Sequence, residues 1–181
     1  MIRARSQTKT RVLNYFFLNE EKQAYINELA RLIEADPKNV FRILVQLQQE
    51  GLLKSEFRGK ERFFSVNKGN PLYKHYKEIF LKTAGFEHGL SERLKTVKNL
   101  KEAYIFGSYA NGRYEAMSDI DILLVGTHSS IEAQKAIYGL QKETGREINV
   151  IDITPQELAK NKKQKDEFIK NIFDGKTVRL L

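Results

Sequence analysis

The sequence contains no cysteine, so a disulfide framework, a thiolate metal site and a thiol nucleophile are all excluded, and several enzyme classes go with them. The redox compartment stays open. No stretch reaches the ~18 uncharged apolar residues that a membrane span requires. The opening MIRARSQTKT lacks the apolar centre of a secretory signal. A cytoplasmic protein is expected. There is no internal repeat, and the one biased segment, Lys160 to Lys165, reads as a solvated charge run. The histidines, His75, His88 and His128, are isolated and lack metal-ligand spacing. They read as surface or satisfied core residues, and Glu143 suggests no site either.

What is present suits a soluble, globular chain. Of 181 residues, 41% are hydrophobic and 30% charged, enough apolar material for a core, and the length fits two small domains better than one. The net charge of +8 is uneven: residues 1–90 hold 16 Lys/Arg against 10 Asp/Glu. That excess points the first half toward a polyanion.

Three helices open the chain. Thr8–Asn19 carries Val12, Leu13, Tyr15, Phe16 and Phe17 at buried-helix spacing, and Tyr25–Glu34 places Ile26, Leu29, Ala30 and Ile33 on one face. Asp36 is a good N-cap with Pro37 at the first helical position, starting a third helix that runs to Glu50, where Gly51 stops it. Its inward stripe is Val40, Leu44 and Leu47. Its opposite side carries Lys38, Arg42, Gln46 and Gln49, with Asn39 beside them. Leu52–Phe57 and Glu61–Val66 read as strands joined by the turn Arg58-Gly59-Lys60, a hairpin with a basic tip. Asn70-Pro71 then opens a helix with Leu72, Tyr76, Ile79, Phe80 and Thr83 on one face, ended by Gly85. This aromatic-rich segment can pack, connect the halves, or pair with its copy in a homodimer.

The run INELARLIEADPKNVFRILVQLQQEGLLKSEFRGKERFFSV resembles the winged helix-turn-helix of prokaryotic transcription regulators over Thr8 to Val66. The resemblance implies DNA as partner, with Lys38, Asn39, Arg42 and Gln46 on the groove-reading helix and Arg58, Lys60 and Arg62 meeting phosphate or the minor groove. A solvated helix face on a dimerisation or scaffolding module is the alternative.

After a boundary at Gly85–Gly89 the pattern alternates. A short helix from Ser91 leads to strand Ala103–Phe106, a Gly-Ser turn with a helix, strand Asp119–Val125, helix Ser130–Thr144, strand Glu147–Ile153 and a helix from Pro155 onward. Such alternation implies a mixed sheet covered by helices, and an α+β chain overall with domains at 1–85 and 86–181.

The most informative run is YIFGSYANGRYEAMSDIDILLVG, Tyr104 to Gly126. Asp119 and Asp121 are two apart on a strand and project from one face, roughly 7 Å apart along the chain, so they can share divalent ions. Magnesium favours carboxylate and phosphate oxygens. Gly107 lets backbone approach a phosphate, the Ser108 hydroxyl can bond to it, and Arg113 can add charge. Gly-Ser, ten residues and Asp-x-Asp together resemble the nucleotidyltransferase superfamily that includes DNA polymerase beta, particularly its minimal prokaryotic members, over Glu87 to Leu181.

That resemblance implies magnesium-dependent transfer of a nucleoside monophosphate from a nucleoside triphosphate to a hydroxyl. Asp119 and Asp121 hold the metals and carry catalysis, and Gly107, Ser108 and Arg113 bind the nucleotide. Active members also place a third carboxylate on a later strand. Aligning on Gly145-Arg146 puts Asn149 there, which can neither act as a base nor add charge. Glu147 shares the face of Asn149 one pleat step away, and Asp152 is expected on the other face. REINVIDITPQEL and KDEFIKNIFDGKTVRLL resemble a subgroup in which a winged helix precedes such a domain, described as regulators. Three functions stay open: a transferase, a nucleotide-binding regulator of DNA affinity without catalysis, and an antitoxin-like modifier of a partner protein.

Overall fold

The computed structural model describes residues 6–112 and 118–181. Packing divides the chain into two units, Met1–His88 with Lys142–Gly145, and Gly89–Gln141 with Arg146–Leu181.

In the first unit α1 (Gln7–Leu18) starts at Ser6, whose Oγ accepts from the Lys9 N–H at 3.4 Å, and ends at Asn19. Its seven C-terminal residues are all buried. The segment before the second helix is extended, a difference from the helix expected from Tyr25. There β1 (Ala24–Tyr25) pairs antiparallel with a later strand, and α2 (Ile26–Leu32) follows directly. Asp36 accepts from the Asn39 N–H at 2.9 Å with Pro37 at the first helical position, so α3 (Pro37–Gln49) begins where its capping residues dictate. Gly51 at φ +74 then turns the chain out of the helix. β2 (Leu53–Arg58) and β3 (Glu61–Val66) form the hairpin, with Gly59 at φ +61 in its turn, and the sheet order is β1-β3-β2.

α4 (Tyr73–Thr83) buries a different face from the one its sequence suggests. Tyr73, Lys77, Phe80 and Leu81 are inside, whereas Leu72 is 66% and Ile79 50% exposed. Aromatic contact sets the rotation: Phe17 meets Tyr73, Tyr76 and Phe80 edge-on at 5.5–6.1 Å between ring centroids. Lys77 comes inside with them and pairs with Glu20.

The second unit begins within α5 (Phe86–Leu94) and continues through β4 (Leu100–Phe106), the single turn α6 (Gly107–Ala110), β5 (Ile120–Gly126), α7 (Ser130–Thr144) and β6 (Ile148–Ile153). The helix expected from Pro155 is two helices, α8 (Pro155–Lys163) and α9 (Glu167–Asp174). Asp166 caps the second by accepting from the Ile169 N–H at 3.0 Å. A last strand, β7 (Val178–Arg179), carries too little pattern to be legible in sequence and is fixed by pairing to β4. The sheet is mixed, in the order β6-β5-β4-β7, with β5 and β6 parallel and the other pairs antiparallel.

Pleat alternation splits this sheet's residues between two faces. Tyr104, Phe106, Leu123, Val125, Ile151 and Ile153 pack with Leu158, Ile169, Ile172 and Phe173 of α8 and α9. Their neighbours Ala103, Ile105, Ile122 and Leu124 are buried on the other side, and α5 and α7 bury Leu90, Leu94, Ala133, Ile137 and Leu140. Among the described residues no helix is long and apolar enough to cross a membrane.

Candidate functional site

Strand register brings the acidic pair and the third-strand position together. Phe106 pairs with Asp121 across β4–β5, and Asp121 pairs with Asn149 across β5–β6. All three side chains therefore rise in one row on one face of the sheet. Asp119, two residues before Asp121, joins the same face. The Asn149 amide closes the group: its Nδ2 donates to Asp119 Oδ2 at 3.1 Å and to Asp121 Oδ1 at 3.4 Å.

The Gly-Ser corner converges on the same place. Gly107 has φ +71, a conformation that favours glycine, and a Cβ there would stand 2.7 Å from Asp121 Oδ2. Glycine is thus required both by the backbone and by the closeness of the carboxylate. Ser108 Oγ donates to Ser118 Oγ at 3.1 Å. Arg146 Nη2 donates to the same Ser118 Oγ at 3.0 Å.

Arg146 and Ser118 belong to this site, although the sequence offered Arg146 only as an alignment marker beside Gly145. The Arg146 residue is 6% exposed. Burial lowers its pKa while the nearby Asp119 carboxylate opposes that shift; an arginine nonetheless keeps its charge. A fixed cation therefore lies beside an acidic pair. The signal available in sequence was a basic residue immediately before the strand that bears the third position, and a serine immediately before Asp119.

Of the other two acidic candidates, Glu147 is exposed just before β6 and one register step from Asn149, and only Asp152 lies away from the row. The Glu147 carbonyl accepts from the Ile120 N–H at 2.9 Å, tying the start of β6 to β5. Asp152 lies at the far end of β6, with Oδ1 2.8 Å from His128 Nε2. His128 is a buried, partnered side chain rather than a ligand of the row.

Among the described residues no three His, Cys, Asp or Glu side chains gather at a metal-binding spacing. What the row offers is two carboxylates with an amide between them. Its chemistry fits a divalent cation held by Asp119 and Asp121, since hard cations take carboxylate oxygens and the bare Gly107 leaves Asp121 Oδ2 uncovered. A cation there, when bound, would neutralise polyphosphate charge. Arg113, expected at the phosphates, lies outside the described residues.

In the first unit, Lys38, Arg42 and Gln46 are exposed on α3, with Arg58 and Lys60 exposed at the hairpin. Several are engaged locally. Arg42 Nη2 donates to Asn39 Oδ1 at 3.0 Å, and Asn39 Nδ2 donates to Thr8 Oγ1 at 3.2 Å. Gln46 Nε2 donates to Glu50 Oε1 at 2.7 Å. Arg58 donates to Gln23 Oε1 at 2.5 Å and pairs with Glu56. Arg62 is only half-exposed: it spans from the hairpin to α3, donating to Ser55 Oγ at 3.0 Å and to Gln48 Oε1 at 2.6 Å.

Residues 87–178, just over half of the chain, match the family described as the nucleotidyltransferase domain. No curated protein matches the chain. Among solved structures, similarity extends to reduced HlyU from Vibrio cholerae N16961, at 14% identity, 44% of this chain, 78% of that one and a TM-score of 0.35. A toxin–antitoxin structure with AMP-PNP shares 19% identity over 52% of this chain and 72% of that one, with a TM-score of 0.39. A protein of Sulfolobus solfataricus assigned as a nucleotidyltransferase shares 28% identity over 41% and 68%, with a TM-score of 0.28. The family match covers the Gly107-Ser108 corner, both aspartates and the strand bearing Asn149, and on it the chain belongs to the nucleotidyltransferase domain family.

Proposed function

We propose that this protein is a nucleotide-responsive DNA-binding regulator whose nucleotidyltransferase unit binds a magnesium-bound nucleoside triphosphate and transfers its nucleoside monophosphate slowly or not at all. The observation that carries this is the Asn149 amide on both Asp119 and Asp121. An amide in the third position neither accepts a proton from an attacking hydroxyl nor adds negative charge for a second cation. Asp119 and Asp121 hold one cation, and Gly107 and Ser108 receive the phosphates with Arg113 adding charge. Arg146 holds Ser118, and through it Ser108, in place.

The first unit acts as a winged helix-turn-helix. Its helix order, its hairpin and its exposed Lys38, Arg42, Gln46 and Lys60 support nucleic-acid binding, driven by release of counterions from phosphate. A second reading is favoured by the family match itself: transfer to a protein or small-molecule hydroxyl. In that step the hydroxyl oxygen bonds to the α-phosphorus, the bond from that phosphorus to the bridging oxygen of the β-phosphate breaks, pyrophosphate leaves, and the hydroxyl proton passes to solvent.

Pyrophosphate release and label transfer from α-labelled ATP and GTP with magnesium separate the two. A regulator gives wild-type turnover near background that rises in Asn149→Asp. Rapid wild-type transfer, undiminished in Asp119→Ala and Asp121→Ala, contradicts the roles assigned to both aspartates.

A further inference from the structure

The first unit carries an aromatic slot that the DNA-reading residues do not account for. Phe57 is 71% exposed on the hairpin and Phe41 43% exposed on α3, and both line one open cavity of about 360 Å³ with Tyr25, Ile26, Lys60 and Arg62. Two large aromatic rings turned to solvent on a charged face are a cost to a free-standing domain, and together they mark a binding surface. The surrounding charge selects the class of ligand. From α3 through the hairpin, residues 37–66, there are six Lys/Arg against three Glu and no Asp. The slot's own lining holds Lys60 and Arg62 against Glu61, a net positive rim that suits a planar apolar group attached to an anion.

The guanidinium that lines the slot, Arg62, is already held by bonds of its own to Ser55 and Gln48. Those bonds commit Arg62 donors that would otherwise reach base edges or phosphate. Stacking needs none of those donors. The Arg62 guanidinium lies 5.5 Å from the Phe57 ring centroid, a cation–π contact that supports the ring from within the hairpin while the ring stays largely open to solvent.

We infer that the Phe41–Phe57 slot takes an unpaired nucleobase, with Lys60 and its basic neighbours on the adjoining phosphates, so that this unit prefers a strand with an exposed base to fully paired duplex. The inference rests on the reading that this unit binds nucleic acid. Every base offers a π-face, so the preference is tolerant of sequence.

Fluorescence anisotropy of the full chain tests it with four probes: a blunt DNA duplex, the same duplex carrying one bulged base, and single strands of DNA and RNA. The variants are Phe41→Ala and Phe57→Ala. Both side chains are exposed, and circular dichroism with thermal melting checks that the variants fold as the wild type does. One stacked base is worth roughly fivefold to hundredfold in affinity, so the bulged and single-stranded probes bind more tightly than blunt duplex by at least roughly fivefold. Each variant removes that advantage and leaves blunt-duplex affinity unchanged.

Equal or tighter binding of blunt duplex overturns the inference and leaves the DNA reading standing. So does an unpaired-probe affinity that neither variant lowers. If light scattering shows a wild-type dimer that Phe41→Ala dissociates, the slot is a contact between two copies instead. Binding to none of the four probes removes the nucleic-acid reading together with the slot.

Discussion

Asn149 faces Asp121 directly across the parallel β5–β6 pair, and its Nδ2 lies 3.4 Å from the Asp121 carboxylate and 3.1 Å from that of Asp119. The amide bridges the two carboxylates and holds together two like charges that would otherwise repel. Asn149→Asp reverses this. It removes the donor and adds a third negative charge to the row. The expected result is a variant less stable than wild type without magnesium and stabilised more than wild type by it. Thermal melts with and without millimolar magnesium check this; equal magnesium shifts in the two proteins count against it.

Gly107→Ala meets two obstacles. The left-handed backbone costs about 1–2 kcal/mol for a residue with a Cβ, and the new atom stands 2.7 Å from Asp121 Oδ2. Denaturant unfolding should show a loss at least that large, with nucleotide affinity falling tenfold or more as Asp121 is displaced. Unchanged stability together with unchanged affinity would show the corner to be looser than its geometry states.

Arg146 is a buried cation that donates to Ser118 and lies near Asp119. Arg146→Met keeps much of the side chain's volume but removes charge and donors, leaving the half-buried Ser118 and Asp119 short of a partner, a loss of roughly 1 kcal/mol. Arg146→Lys restores charge without the planar fork. Nucleotide affinity is therefore expected in the order wild type, Lys, Met, measured by titration after each variant is shown to be folded. A Lys variant no better than Met would assign the effect to guanidinium shape alone.

The acidic pair and the Gly-Ser corner were legible in sequence from spacing, two residues on a strand and a turn between a strand and a helix, whereas the Asn149 position came from the family resemblance through Gly145-Arg146. The N-terminal helices were legible from apolar spacing, with Asn19, Asp36 and Gly51 marking ends and starts, although the Ser6 cap that begins α1 was not foreseen. Rotation and pairing were not. α4 shows Tyr73 and Lys77 to the core in place of Leu72 and Ile79 because Phe17 and Glu20 wait there, and that partner choice is tertiary. β7 is two residues held by β4. Ser118 and Arg146, 28 residues apart, meet only once β5 and β6 lie side by side.

Lys77 gives the fold a pH signature. Its side chain is buried, and burial pushes its pKa down to about 8 against the opposing pull of Glu20. Below pH 8 both folded and unfolded chains hold the proton. Between about 8 and the ordinary 10.5 only the unfolded chain does, so this group makes stability rise with pH across that window, by about 3 kcal/mol at most. Lys77→Met, with Glu20 still paired to Lys68, removes the effect. Urea unfolding at pH 7 and pH 9.5 should show wild type gaining on the variant; a constant difference contradicts the lowered pKa.

Isothermal titration of ATP and GTP into the full chain, in magnesium and again in EDTA, probes the nucleotide site most directly. Saturable binding of at least one nucleotide in magnesium is predicted, weakened tenfold or more by EDTA and by either Asp119→Asn or Asp121→Asn. Absence of heat for both nucleotides in magnesium, or affinity indifferent to the cation and to both substitutions, would contradict the account.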